Sequence, residues 1–443
     1  MASAFPNYDE EDADIREIVE GMRALHISPP EESQTEDNNA GMTLESLTGD
    51  KLMPICRLVD DLVKCYEAMR CHHDELLKYG EPIVELMLLN KEILLTQNEL
   101  MFWMKIGQLY SLTKIDKQPA IEALTKAVTI DPNMVEAWNA LADCHWDVGD
   151  YEKARFCLEK SLRLERSKKA LRHMSAVCRK LATKYPDREP IYLQTGLNLA
   201  KEAVSMDVKD GSSWAVLGNA YLTAHLKLKD DMKGAKLALS AYKQAVSNGN
   251  TLNPELFYYQ GYIYTFCENY EEALTSLDNA IALDGDNVQA IELKEKVLNF
   301  LNNIRNSCTN YGKLNTKRLA NLRKDLQNIL IAPFASSLGV EPTRVGCLHM
   351  GENPKMFVYG KVLWCLPAVD CLPFACGCIE SNNQVFVTTV YNMLPEKKFF
   401  VGDTIFIPNP DYKLVKFKYN DQTYDFRLLR VDDPATALFH SNC

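Results

Sequence analysis

The sequence predicts an α-helical solenoid of paired-helix repeats followed by a small all-β barrel. Two observations carry the first half. In four segments an aromatic residue is followed four positions later by Gly or Ala: Trp103/Gly107, Trp138/Ala142, Trp214/Gly218 and Phe257/Gly261. Each is trailed by a second helix-period stretch with Ala at close-packing positions, such as Ala120, Ala154, Ala238 and Ala273. The barrel rests on a third observation. After about residue 330, β-branched and aromatic runs alternate with turn residues.

Taken in chain order, residues 1–46 read as an acidic disordered tail, since residues 1–40 hold eleven Asp/Glu against two Arg. Residues 47–99 read as an N-terminal helical cap, with Leu58, Leu62, Cys65, Leu86 and Leu89 at helical spacing. A stack of such units needs atypical ends to close it. Residues 100–310 form the solenoid. Its unit, about 34 residues of helix–turn–helix with large residues early and Ala later, is the tetratricopeptide repeat (TPR). Between the second and third copies lies a helical pair without the signature, about 167–207, read as a degenerate repeat. The third copy carries a charged insertion near Lys227–Lys233, and 289–310 reads as a closing helix.

Residues 311–332 read as a basic helical linker and 333–440 as the barrel. The strand runs are Met356–Leu366, Gln384–Tyr391, Thr404–Ile407 and Leu414–Tyr419. Turns are expected at 380–383, at Pro408-Asn409-Pro410 and at Asn420-Asp421. A five-stranded OB-fold fits better than an SH3-like barrel, the Gly402-Asp403-Thr404 strand opening being its local cue.

Composition narrows the function classes. With a net charge of −11, the chain as a whole is a poor non-specific nucleic-acid binder. The acidic start predicts no export signal, and no apolar run of about 18 residues predicts a membrane span. The scattered cysteines therefore read as reduced core residues. Cys365, Cys371, Cys376 and Cys378 crowd into fourteen residues but lack Cys-x-x-Cys spacing, so core packing is favoured over a metal site. No phosphate loop, nucleophile elbow or zinc-protease motif occurs, so no catalytic residue, metal or cofactor is expected and the protein is not read as an enzyme.

Three stretches are distinctive: residues 203–214 (AVSMDVKDGSSW), Glu136-Ala137-Trp138-Asn139, and residues 311–318 (YGKLNTKR). On these the chain resembles the Strap-like family of stress-responsive tetratricopeptide proteins with an OB-fold tail, which includes the tubulin autoregulation factors. The resemblance implies an adaptor. It would bind the N-terminal peptide of nascent tubulin at the ribosome and bring in mRNA-decay machinery through a decay adaptor. The alternative it implies is a nuclear scaffold for a histone acetyltransferase co-activator in stress and DNA-damage responses. A cytoplasmic monomer, with a nuclear pool for the second role and no membrane contact, is the expectation. A generic chaperone co-adaptor fits less well, because its groove needs a basic carboxylate clamp.

The first helix of each repeat lines the concave groove. Candidate peptide-binding residues are therefore Glu136 and Asn139, with Asp143, in the second repeat, Asn219 in the third, and Glu255, with Tyr258 and Tyr262, in the fourth. In the degenerate repeat Arg172, Ser175 and Arg179 share one helical face. The resemblance makes Arg179 a peptide-site candidate. Arg179 would pair with the Glu, and Glu255 with the Arg, of a Met-Arg-Glu start. Lys313, Lys317 and Arg318 lie in a locally basic stretch, with Lys313 and Lys317 placed four apart on one helix. They are the candidate ribosome contacts. The barrel aromatics Phe417, Tyr419, Tyr424 and Phe426 have period-2 spacing and read as core rather than as a nucleic-acid platform.

Overall fold

The computed structural model describes residues 52–68, 73–113, 116–228, 232–329, 331, 335–336, 338–393, 399–435 and 438–440. The acidic tail lies outside them. The chain divides into two compact units, Met1–Asn253 and Pro254–Cys443.

In the first unit, α1 (Leu52–Ala68), α2 (His73–Leu89) and the start of α3 (Lys91–Thr113) bury Ile55, Leu62, Ile83, Met87, Leu94 and Phe102 in one cluster. Helix α3 is two helices in sequence logic. Asn98 leaves the helical region (φ −162°, ψ 99°) and its Oδ1 accepts the Met101 N–H at 3.0 Å. That is an N-cap, so the first repeat helix starts just past Asn98.

The repeats follow as α3 with α4 (Gln118–Ile130), α5 (Val135–Asp147) with α6 (Tyr151–Leu164), α7 (Lys168–Lys184) with α8 (Glu189–Met206), and α9 (Gly211–Leu228) with α10 (Met232–Ser247). The signature residues have direct physical jobs. A Cβ on Gly218 would sit 2.5 Å from the Tyr242 ring, so only glycine lets α9 and α10 close. Trp138 Nε1 donates to the Pro132 carbonyl and Trp214 Nε1 to the Val208 carbonyl, each at 2.8 Å. Each indole thus fills the inter-helix gap and ties down the loop six residues before it.

The degenerate pair α7–α8 lacks the indole but keeps a close-packed glycine, Gly196 against Ser175 and Cys178, and is strapped by charge as well. Arg166 holds Glu202 through two bonds of 2.6 Å, and Lys184 reaches Glu152 at 2.8 Å. Those two pairs are half-exposed, so solvent screens them. Arg172 to Asp210, at 2.5 Å, is more enclosed and joins α7 to the start of α9.

The second unit opens with α11 (Pro254–Phe266), α12 (Tyr270–Leu283) and α13 (Val288–Thr309). A 3₁₀ turn (Tyr311–Lys313) and α14 (Thr316–Gln327) follow. Lys313 and Lys317 therefore do not share a helix, contrary to the spacing argument. Leu314 is extended, and Asn315 caps a new helix by accepting the Arg318 N–H at 2.8 Å. Nor is this stretch a free linker, because Leu319, Leu322 and Leu326 are buried.

The barrel contains short β1 (Glu341–Pro342) and β2 (Gly351–Glu352), then β3 (Met356–Leu366), β4 (Phe374–Ile379), β5 (Val385–Val390), β6 (Thr404–Pro408), β7 (Asp411–Tyr419), β8 (Gln422–Val431) and β9 (Leu438–His440). Strand β3 pairs antiparallel with β4 and β6; β4 continues to β5, β5 runs parallel to β8, and β8 pairs with β7. The expected turn at Pro408-Asn409-Pro410 is a kink within one long strand. Neither proline can donate to a ladder, so the strand breaks pairing there. Its first half, β6, stays on β3 and its second half, β7, pairs with β8, which closes the barrel.

The last repeat and the barrel share one core. Leu277, Val297 and Leu301 pack in one cluster with Trp364, Val387 and Leu428. The barrel aromatics belong to it: Phe417, Tyr424 and Phe426 are buried, and the Tyr419 hydroxyl donates to Asp278 at 2.9 Å. The face they form is covered by α12 and α13, as their period-2 spacing predicts. Cys371, Cys376 and Cys378 are buried, and burial first of all pushes the Cys371 thiol up to about 12.

Candidate functional site

The inner helices of the first unit, α3, α5 and α7, enclose a concavity of about 750 Å³. The sequence builds it simply. Consecutive lining residues come one helical turn apart, so α5 offers Glu136, Asn139 and Asp143, and α7 offers Lys169, Arg172 and Ala176. Leu112, Trp146 and Leu158 supply apolar lining.

Its two walls differ in charge. The α5 wall carries Glu136, Asp143 and Asp147, and the α7 wall carries Lys169, Arg172 and His173. His173 Nδ1 lies 2.7 Å from Asp143 Oδ1, bridging the walls. Burial pushes the Asp147 carboxyl above its ordinary value, and Lys117, 3.7 Å away, only partly offsets this. Burial also acts to raise Asp210, but the Ser213 hydroxyl and the Arg172 and Lys168 charges outweigh it and leave the carboxyl below the usual value.

Two acceptors in the lining have no hydrogen-bond partner among the described residues. Gln108 Oε1 and Asn139 Oδ1 are both buried atoms. Leaving such an acceptor unmade costs about 1–3 kcal/mol. The N–H groups of an extended peptide would recover that cost.

The structure sorts the predicted residues. Glu136, Asn139 and Arg172 line the concavity, and Arg172 already holds Asp210 there. Arg179 stands one turn further along the α7 stripe of Arg172 and Ala176, half-buried, donating to Ser175 Oγ at 3.3 Å. Asn219 has its carbonyl oxygen occupied by the Tyr242 hydroxyl at 2.5 Å. Glu255 is exposed on the first turn of α11, in the second unit. Tyr258 and Tyr262, expected to face a ligand, instead pack against the cluster that holds Trp364, Cys371 and Leu372. Burial, the nearby Cys371 and Tyr258 push Tyr262 up to about 12. Lys313, Lys317 and Arg318 are all exposed.

Gln108, Lys169 and Asp147 were missed. Gln108 was within reach, because it follows Gly107 as Asp143 follows Ala142 and Asn219 follows Gly218. Transferring that position across repeats would have named it.

The comparisons with known proteins agree with this architecture. The profile described as tetratricopeptide repeat protein 5 OB fold domain matches residues 339–442, and tetratricopeptide repeat profiles match 102–134, 135–168 and 254–287. The chain is 30% identical over 387 residues to tetratricopeptide repeat protein 5 of Bos taurus, covering 85% of this chain and 86% of that one. It is 31% identical over 342 residues to the Homo sapiens protein of the same name, covering 75% and 78%. Among solved structures it is similar to that of YrrB, a TPR protein with an unusual peptide-binding site, at a TM-score of 0.33 and 20% identity over 45% of this chain and 95% of that one.

Proposed function

The chain belongs to the tetratricopeptide repeat protein 5 family, protein-binding adaptors built on a TPR solenoid and an OB-fold, and from that premise we propose that it grips the Met-Arg-Glu start of nascent tubulin in the concavity of its first unit. One observation carries the reading. An acidic wall faces a basic wall across a lining that holds two unpaired buried acceptors. The peptide Arg goes to Glu136, on the first turn of α5, which takes the role first expected of Glu255. The peptide Glu goes to Arg179, and backbone N–H groups go to Asn139 and Gln108. Lys313, Lys317 and Arg318 rest on ribosomal RNA in the cytoplasm. The bound state recruits the mRNA-decay adaptor.

Titration of a fluorescent Met-Arg-Glu-Ile peptide, followed by anisotropy, tests this. Wild-type protein is expected to bind saturably. Asn139→Ala should weaken binding by about 2- to 10-fold, the worth of one hydrogen bond of 0.5–1.5 kcal/mol. Equal binding of a scrambled peptide would refute the reading.

A further inference from the structure

The concavity of the first unit selects for a simple pattern. Glu136 on the α5 wall calls for a cation, and the cations of α7 call for an anion. Gln108 Oε1 and Asn139 Oδ1 call for backbone N–H donors, and Leu112, Trp146 and Leu158 favour apolar neighbours. An extended segment with adjacent Arg and Glu between apolar residues meets all four demands. Such a segment occurs in this chain. Residues 1–51 lie outside the described residues, and in them Arg and Glu are adjacent once, as Arg16-Glu17. Ile15 and Ile18 flank the pair.

Charge and reach fit as well. Five acids, Asp9, Glu10, Glu11, Asp12 and Asp14, precede the segment. Helix α7 carries six Lys/Arg and no acid, in a chain of net charge −11. Asp207, Asp210 and Glu152 from other elements answer three of the six. Lys180 lies 5.8 Å from the ring of Trp146, which lines the concavity. Helix α1 begins at Leu52, and Val63 of the same helix also lines the concavity. Along a helix those two residues are about 16 Å apart. The chain between Ile18 and Leu52 can span up to about 110 Å, far more than the approach requires.

We propose that Ile15-Arg16-Glu17-Ile18 docks in the concavity of its own chain as a weak internal competitor. Arg16 goes to Glu136, Glu17 to Arg179, backbone N–H groups to Asn139 and Gln108, and the preceding acids lie along α7. The proposal rests on the reading that the concavity takes an Arg-Glu peptide, and adds how that site is regulated. Tethering makes a weak match count. At an effective concentration of about 1 mM, a segment with an intrinsic Kd of about 0.5 mM fills roughly two-thirds of the sites and weakens an outside peptide about 3-fold. A ligand that matches the concavity better displaces the segment, and a poorer one does not.

The test uses the full chain. Arg16→Ala with Glu17→Ala, titrated with the fluorescent Met-Arg-Glu-Ile peptide beside wild type, should bind it about 3-fold tighter, the factor set by the internal competitor. A second full-length protein carries a photoreactive amino acid in place of Ile18. Irradiated without peptide, it should form intramolecular adducts on α3, α5 and α7, and excess Met-Arg-Glu-Ile should suppress them. Equal peptide affinity for the variant and wild type, or adducts that excess peptide leaves unchanged, would refute the docking while the peptide reading stands. If neither wild type nor the double variant binds the peptide, the underlying reading fails and the internal competitor goes with it.

Discussion

Replacing Glu268 by alanine is expected to destabilise the second unit by about 3–5 kcal/mol, the cost of removing one member of a buried ionic cluster. Glu268 sits at the turn between α11 and α12 with its side chain fully buried. It accepts the Thr389 hydroxyl at 2.6 Å and the Tyr391 hydroxyl at 3.3 Å. It also faces Lys413 Nζ at 3.0 Å and Arg430 Nη1 at 3.7 Å. Arg430 is itself buried, with the Tyr391 ring centroid 3.8 Å and the Phe266 centroid 5.0 Å from its guanidinium. Burial works against its charge, but Tyr391, Glu268 and Asp432 more than offset this and hold its pKa above the ordinary arginine value. Without Glu268, Lys413 loses the buried carboxylate that faces it, and the guanidinium is left with Asp432, 2.8 Å away. Urea denaturation monitored by tryptophan fluorescence reads the loss. Glu268→Gln, which keeps the acceptor oxygen, should cost less than alanine. A loss below about 1 kcal/mol for Glu268→Ala would mean the cluster relaxes into water, and that the last repeat is held on the barrel mainly by apolar packing.

Arg179→Ala is expected to weaken Met-Arg-Glu-Ile binding by about 10- to 100-fold, corresponding to a charge-assisted hydrogen bond of 1.5–3 kcal/mol. The magnitude follows from position. Arg172, on the same stripe, already spends its charge on Asp210 at 2.5 Å, so its loss should show mainly in stability. Arg179 donates a 3.3 Å bond to a neutral hydroxyl, Ser175 Oγ. A ligand carboxylate is a stronger acceptor than that hydroxyl. Arg179→Lys keeps the charge but not the fork, and should recover only part of the affinity. Unchanged affinity for Arg179→Ala would move the peptide Glu onto Lys169 or out of the concavity.

Local signals made the solenoid legible. Trp138 and Trp214 act on loops six residues away, and Gly218 meets its partner helix within one repeat, so their roles are written at short range. Asn139 and Glu136 could be placed on the concave face from the repeat frame alone. What failed was chemistry between distant segments. Nothing near Glu268 announces Lys413 or Arg430, 145 and 162 residues on. Asn219 looked available because Tyr242, which occupies its oxygen, lies on the other helix of the repeat. Lys313 and Lys317 looked helical because their spacing is right, yet Gly312 takes φ +67° and Asn315 restarts the chain as a cap. At Pro408-Asn409-Pro410 the composition gave the break correctly but not its sense. A kinked strand and a reversal use the same residues, and only the pairing of β6 with β3 and of β7 with β8 separates them.

The most direct test of the account is where the peptide lies. A Met-Arg-Glu-Ile peptide carrying a photoreactive group at its fourth position, irradiated with the full chain and mapped by mass spectrometry, reports this in one experiment. The account predicts adducts on α3, α5 and α7, near Gln108, Asn139 and Lys169, suppressed by excess unlabelled peptide. Competable adducts confined to the second unit would contradict it.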